Sequence, residues 1–193
     1  MANKTRRCTF CKDYFPADGG IVLPAGFFCS FDHAAEYAKK KQDKLKEKRR
    51  KQQKKTDKTK RDSLKTVRDL MPEAQAAFNK YIRARDYGLP CISCGATPKQ
   101  KVGGTVDAGH YRSRGSAGHL RFNVWNCHSQ CVLCNRYQSG NVVDYRINLI
   151  KKIGVERVET LENDNDPRKF SVEYLRRVKR IFNKRARIVL KRK

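Results

Sequence analysis

The sequence predicts an α+β protein: a small metal-stapled core with flanking helices, an N-terminal metal finger, and a basic linker that is either helical or disordered. Three observations carry that expectation. Cysteine and histidine recur in two four-residue sets at metal-ligand spacing. Apolar residues recur at helical spacing on both sides of the second set. The composition is also unusual: 193 residues carry 45 Lys+Arg against 19 Asp+Glu, a formal net charge of +26, with a hydrophobic content of only 38%. Metal staples explain how a chain so poor in apolar residues folds.

The charge bounds the partners. An excess of this size disfavours self-association and draws the chain to a polyanion. DNA and RNA are the commonest ones, and phosphate neutralisation supplies sequence-independent affinity. An anionic membrane is the rival surface. No apolar stretch is long enough to span a bilayer and no secretory h-region is present, so a membrane partner is not expected. The N-terminus runs straight into cysteine chemistry, so the chain is expected in the cytoplasm, and in that reducing compartment its eight cysteines read as thiols and metal ligands rather than disulfides.

Four segments follow from composition. Residues 1–37 hold the first ligand set. Residues 38–65 form a basic run: from Lys39 to Lys65 there are fifteen Lys/Arg, four acids, no Gly and no Pro. Its residues favour helix, but it has no apolar stripe to pack on a core. It reads as a DNA-contacting arm, with a solvated linker as the plain alternative. Residues 66–145 hold the chemistry, with a helix expected from Pro72 through Ala74, Ala77, Phe78, Tyr81 and Ile82 to a stop at Gly88 and Pro90. Residues 146–193 read as helices. Asn141 is expected to cap a helix that buries Val143, Ile147 and Ile150 and closes at Gly154. A short helix with Val155, Val158 and Leu161 follows. Ser171 is expected to cap a last helix with Val172, Leu175, Val178, Phe182 and Val189 inward.

Cys8-Thr-Phe-Cys11 is a Cys-x-x-Cys knuckle, followed at a distance by Cys29 and His33. Three thiolates and an imidazole make a closed tetrahedral zinc site, and Cys29 to His33 spans about one helical turn. Phe10, Phe15, Phe27 and Phe28 could form a miniature core around it. Cys91-Ile-Ser-Cys94 and Cys131-Val-Leu-Cys134 are two further knuckles with 36 residues between them, wider than a simple zinc ribbon. Two structural zinc ions are expected, and the insert is where the chemistry lies.

The insert contains Asp107-Ala-Gly-His110-Tyr-Arg112, then Asn126-Cys-His128, and the last knuckle is followed at once by Asn135. The zinc needs none of these. Phosphodiester hydrolysis needs a base for water and a hard cation to offset developing charge. His110 suits the base, since free imidazole titrates near neutrality. Asp107 and Asn135 offer oxygens suited to Mg²⁺ or Mn²⁺. Asn126 is expected to hold the His110 ring, and His128 to be a second metal ligand or a phosphate contact. Arg112, Arg114 and Arg121 are expected phosphate clamps. Of the remainder, His119 reads as a surface or phosphate-contacting residue, Cys127 as a small buried one and Trp125 as core.

Asp-x-Gly-His, a following Asn, and Cys-x-x-Cys-Asn together resemble the HNH, or ββα-metal, nuclease motif. That resemblance implies strands near Val106–Arg112 and His119–Trp125 and a helix beginning around Cys131. The flanking knuckles are similar to those of the phage recombination endonuclease VII type, which implies Asn135 as a ligand of the catalytic metal. Leu89-Pro-Cys-Ile-Ser-Cys-Gly95, Asp107-Ala-Gly-His-Tyr-Arg112, Leu120-Arg-Phe-Asn123, Gln130-Cys-Val-Leu-Cys-Asn135 and Ser139-Gly-Asn141 resemble the NinG (Rap) recombination proteins of lambdoid phages. The likeness extends to the first Cys cluster, the Lys-rich run and the last helices. It implies a structure-specific endonuclease acting on branched DNA, working beside other phage recombination proteins. Two cuts at a four-way junction would suit a homodimer, though no dimer interface is legible. One departure stands out: many HNH motifs place an acid or a second His directly before the base, where this chain has Gly109. Strand alternation then sends Asp107 and His110 to opposite faces unless Gly109 permits a bulge. The alternative function is a non-catalytic zinc protein that binds DNA as a recombination accessory; an RNA-binding zinc protein fits the charge but not the motif.

Overall fold

The computed structural model describes residues 5–97 and 106–192. They fall into two compact units, residues 1–64 and 65–193.

The first unit is built from two short hairpins and a long helix. Strand β1 (Thr5–Arg7) pairs antiparallel with β2 (Tyr14–Pro16), and β3 (Ile21–Leu23) with β4 (Gly26–Phe28). Cys8, Phe28 and Ala34 are buried, with Phe10, Phe15 and Tyr37 against them. Helix α1 (Phe31–Ser63) starts at Ser30, whose hydroxyl accepts from the His33 N–H. It runs 33 residues, about 50 Å at the standard rise. The basic run is therefore helical, and continuous with the finger. Ala34 is its one buried residue, and residues 38–61 are exposed throughout. With no apolar stripe to pack, that stretch is carried by propensity and by i,i+4 pairs such as Glu47–Lys51.

The second unit has its own core. Helix α2 (Val67–Arg85) and the last helix α5 (Val172–Lys191) pack face to face. Leu70, Ala74, Ala77, Phe78 and Ile82 meet Leu175, Val178 and Phe182, with the Phe78 and Phe182 rings edge-on at 4.9 Å. Each large apolar side chain buried this way contributes about 1.5–3 kcal/mol. Helix α2 begins five residues before the expected Pro72. Thr66 and Asp69 form a reciprocal capping box that outcompetes proline as the start signal. Pro72 sits inside, where it leaves one carbonyl of the previous turn without its helical donor.

Against α2 lies an antiparallel pair, β5 (Val106–His110) and β6 (Cys127–Cys131). The register is unbroken from Val106↔Cys131 to His110↔Cys127, so Gly109 does not form a bulge. Gly109 serves close approach instead: a Cβ there would overlap Gln130 Oε1 and lie 2.9 Å from Gln130 Cβ. The second strand is also displaced from the expected 119–125. That stretch is a 3-10 turn at Gly118–Leu120 and further turns closed by Leu120 and Asn123 carbonyls, while the polar Cys-His-Ser-Gln-Cys forms the strand.

A single π-helical turn, Leu133–Tyr137, follows β6 where a helix was expected. Helices α3 (Val142–Ile153) and α4 (Val155–Asn163) then close a second cluster with Ile92, Tyr111, Ala117 and Leu120. Asn141 precedes α3 in a left-handed conformation, and its side chain donates to Asp144 instead of accepting a helical N–H. The buried face is Tyr145, Leu149 and Ile153; Val143 and Ile147 are exposed, contrary to expectation. Trp125 is also half-exposed and covered by Arg157 rather than placed in the core. No helix of the described residues is long and apolar enough to cross a membrane.

Candidate functional site

Cys8, Cys11, Cys29 and His33 bring one donor atom each within 4.8 Å of one another, and so do Cys91, Cys94, Cys131 and Cys134. The edge of a zinc–thiolate tetrahedron is about 3.8 Å, from Zn–S bonds near 2.3 Å. Cys94 and Cys131 sulfurs lie 3.8 Å apart and those of Cys11 and Cys29 4.0 Å. Both sets thus fit zinc, and with four protein donors each they leave no open position. In the second set, backbone N–H groups of Cys131 and Cys134 point at the Cys91 and Cys131 sulfurs. Such bonds orient ligands and offset their charge. The Ile92 N–H donates to the Ser129 carbonyl, tying the first knuckle to β6.

Beside that staple is a cleft of ≈ 540 Å³, lined by Asn79 and Arg83 of α2, Asp107, Ala108 and His110 of β5, Arg114 in the loop after it, and Asn135 and Arg136 of the π-helical turn. The His110 ring lies tilted beside Phe78, with centroids 5.9 Å apart, and places Nε2 3.0 Å from the Arg121 carbonyl. A carbonyl only accepts, so Nε2 carries the proton and Nδ1 the lone pair, which in this structure lies 3.7 Å from the Cys127 thiol sulfur. Burial, with the charges of Arg114 and Arg121, pushes the His110 imidazole down to about 4. It is therefore neutral at physiological pH. The Asn135 amide donates to Asp107 Oδ2 at 2.9 Å, and Arg136 grips both carboxylate oxygens at 2.7 and 2.9 Å. The Arg136 bonds hold the Asp107 carboxyl below the usual carboxylate range. No bulge is needed for Asp107 and His110 to share the cleft, because it wraps around the edge of β5.

The sequence matches the family described as NinG: Bacteriophage Lambda NinG protein, over residues 1–192. Protein ninG of Escherichia phage 933W is 40% identical over 193 residues, covering 93% of this chain and 91% of its own length. The chain belongs to the NinG family. Protein ninG of Enterobacteria phage H19B is 36% identical over 198 residues, with 96% and 94% covered, and that of Escherichia phage lambda 45% identical over 107 residues, with 55% and 50% covered. No solved structure matches the chain.

In this NinG chain two expected site residues stand elsewhere. Asn126 is fully buried and clamps the loop rather than the His110 ring: its Oδ1 accepts from the Arg112 N–H and its Nδ2 donates to the Arg112 and Leu120 carbonyls. The group that holds His110 is the Arg121 carbonyl. His128 points to the other face of β6 from Cys127, buried against the Tyr145 hydroxyl at 3.3 Å and not part of the cleft lining. Register alone dictates this, since His128 pairs with Gly109 and not with His110.

The arginines also divide. Arg112 is a helix cap, donating to the Leu161, Glu162 and Asp164 carbonyls at the end of α4. Arg121 reaches Gln75 of α2, and Arg114 lines the cleft. His119 is partly buried, contacts the Asp164 carbonyl at 2.7 Å and lines a second cleft with Arg168 and Lys169. Cys127 is buried, as expected.

Sequence reasoning missed Asn79, Arg83 and Arg136. The first two follow Gln75 at four-residue spacing on α2, a polar stripe beside the Ala/Phe face that marks a helix edge turned to a site. Sequence reasoning also missed the buried Asp86. This carboxylate accepts a bidentate pair from Arg85 and the Ser129 N–H, while Arg85 donates on to the Val124 and Cys127 carbonyls. That network welds the end of α2 to β6.

Proposed function

We propose that the chain is a metal-dependent DNA endonuclease of the HNH type that acts on branched DNA. One observation carries the reading: a neutral, carbonyl-fixed His110 shares a cleft with the adjacent oxygen donors Asp107 and Asn135 and with Arg83, Arg114 and Arg136. Three guanidinium groups against one carboxylate suit a phosphodiester backbone. His110 Nδ1, exchanging its 3.7 Å contact with the Cys127 sulfur for an attacking water, takes that water's proton; the Arg121 carbonyl, accepting from Nε2–H, stabilises the imidazolium that results. Asp107 and Asn135 would hold a hard cation, Mg²⁺ or Mn²⁺, which when bound offsets charge on the phosphate and leaving oxygen. The two thiolate-rich clusters would hold structural zinc. A strand pair followed by a helical turn carrying Asn135 supports this reading, although the second strand is Cys127–Cys131 rather than 119–125 and the turn is a single π-helical one. The exposed basic face of α1 adds non-specific affinity for DNA. Branched DNA, and work beside other recombination proteins, rest on the family resemblance.

The test is incubation of labelled duplex, flap, three-way and four-way DNA with the full chain, with and without Mg²⁺ or Mn²⁺. Cutting that requires the metal and prefers branched forms is the expected result. Binding without cutting under any divalent metal would leave a DNA-binding accessory protein instead.

A further inference from the structure

Asp107 is almost used up. A carboxylate offers about four lone-pair positions. Asn135 Nδ2 and Arg136 Nε fill both positions of Oδ2, at 2.9 and 2.7 Å, and Arg136 Nη2 takes one of Oδ1, at 2.9 Å. Among the described residues one position remains, directly beside the Arg136 positive charge. A divalent ion arriving there meets Coulomb repulsion as well as a crowded ligand. Arg136 itself is 61% exposed, on the residue after Asn135, and lies in the same cleft as Arg83 and Arg114. It can leave Asp107, because at that exposure water can take over the hydrogen bonds its guanidinium gives up.

We propose that Arg136 is a cation stand-in: it holds Asp107 until a divalent ion displaces it, and the released guanidinium then binds a DNA phosphate. This rests on the reading of Asp107 and Asn135 as the divalent site. It assigns Arg136 two alternating partners, both anionic oxygens, which a planar two-pronged donor grips equally well. Metal and DNA then bind with positive coupling, since each removes what opposes the other. An unloaded cleft keeps its carboxylate neutralised and its shape intact, and loading with metal makes a phosphate clamp available at the site of chemistry.

The experiment is Mn²⁺ binding to the zinc-replete full chain without DNA, followed by the electron-paramagnetic-resonance signal of free Mn²⁺. Wild type is compared with Arg136→Gln and Asp107→Asn, with thermal melts to verify folding. Arg136→Gln is expected to bind Mn²⁺ about three- to tenfold more tightly than wild type, the effect of removing one exposed, competing ion pair. Asp107→Asn is expected to lose the binding. In a His110→Ala background, Mn²⁺ should tighten binding to a short DNA duplex, and Arg136→Gln should remove most of that gain. Equal or weaker Mn²⁺ binding by Arg136→Gln, with Asp107→Asn still defective, overturns the stand-in and leaves the divalent site standing. Absence of Mn²⁺ binding in all variants overturns both.

Discussion

The two cysteine clusters use one device to opposite ends. Each gathers four donors within 4.8 Å. The first is surrounded by aromatic residues and opens onto a helix with a single buried residue, so nothing polar is aimed from it. The second sits among buried polar side chains, Asp86, Ser93, Asn126, His128, Ser129 and Gln130, most of them bonded to backbone or to one another. Buried polar groups fix geometry only when they are satisfied. The difference teaches that a zinc staple is neutral about function. What makes the second region a site is the polar scaffold that the staple closes.

Breaking the staples should show this with the largest effect. Cys131→Ser removes a donor from the second cluster, where metal binding contributes on the order of 10 kcal/mol to folding. Loss of the cooperative melt of residues 65–193 and of all cleavage is expected. Cys11→Ser should release only the first cluster's metal and leave that melt in place, because each unit has its own core. Metal analysis beside calorimetry checks both; one joint collapse in Cys11→Ser would contradict the comparison.

A smaller effect belongs to the buried histidines. Burial, with Lys152 and Arg85 near it, pushes His128 down to about 3, and His110 is held at about 4. Free imidazole takes its proton near 6.5, so below that pH the unfolded chain binds protons that the folded chain refuses. Stability should therefore be full above about pH 6.5 and fall as the pH drops toward 4, by up to about 1.4 kcal/mol per pH unit for each histidine. Denaturant titrations at excess zinc check this, and His128→Asn should make the profile shallower. A flat profile between about pH 6.5 and 5 would mean these rings are not buried in the native protein.

Legibility in the sequence follows the same divide. Both ligand sets could be read directly, because tetrahedral thiolate chemistry constrains spacing. Asp107, His110 and Asn135 were legible as types, and the structure brings them to one cleft. The second strand was not. Leu120, Phe122 and Val124 alternate with polar residues as a half-buried strand would, yet they serve turns that send apolar groups to two different clusters. Cys127–Cys131 reads as loop because it is polar, and becomes a strand because the polar groups of one face find partners: Tyr145 for His128, and Ser93 with the Gly140 carbonyl for Gln130. Asn126 and His128 were misassigned for the same reason, since partners distant in sequence decided their roles. The Val143/Ile147 stripe failed likewise, where Tyr145 and Leu149 won the core.

The smallest effect concerns the arm. Truncating α1 after Tyr37 should lower the slope of log affinity for DNA against log salt, by about 0.9 for each phosphate that the arm neutralises. Binding isotherms between low and moderate salt measure it. An unchanged slope would make the exposed helix a spacer.

The central claim is that His110, alone among the buried histidines of the second unit, does chemistry. Single-turnover cleavage of a branched substrate at saturating enzyme tests it most directly, with His110→Ala against wild type. The expected outcome is a rate lower by about a hundred- to ten-thousand-fold with DNA affinity and metal content unchanged, because a base acts in the transition state. Cleavage by His110→Ala at the wild-type rate would contradict the account.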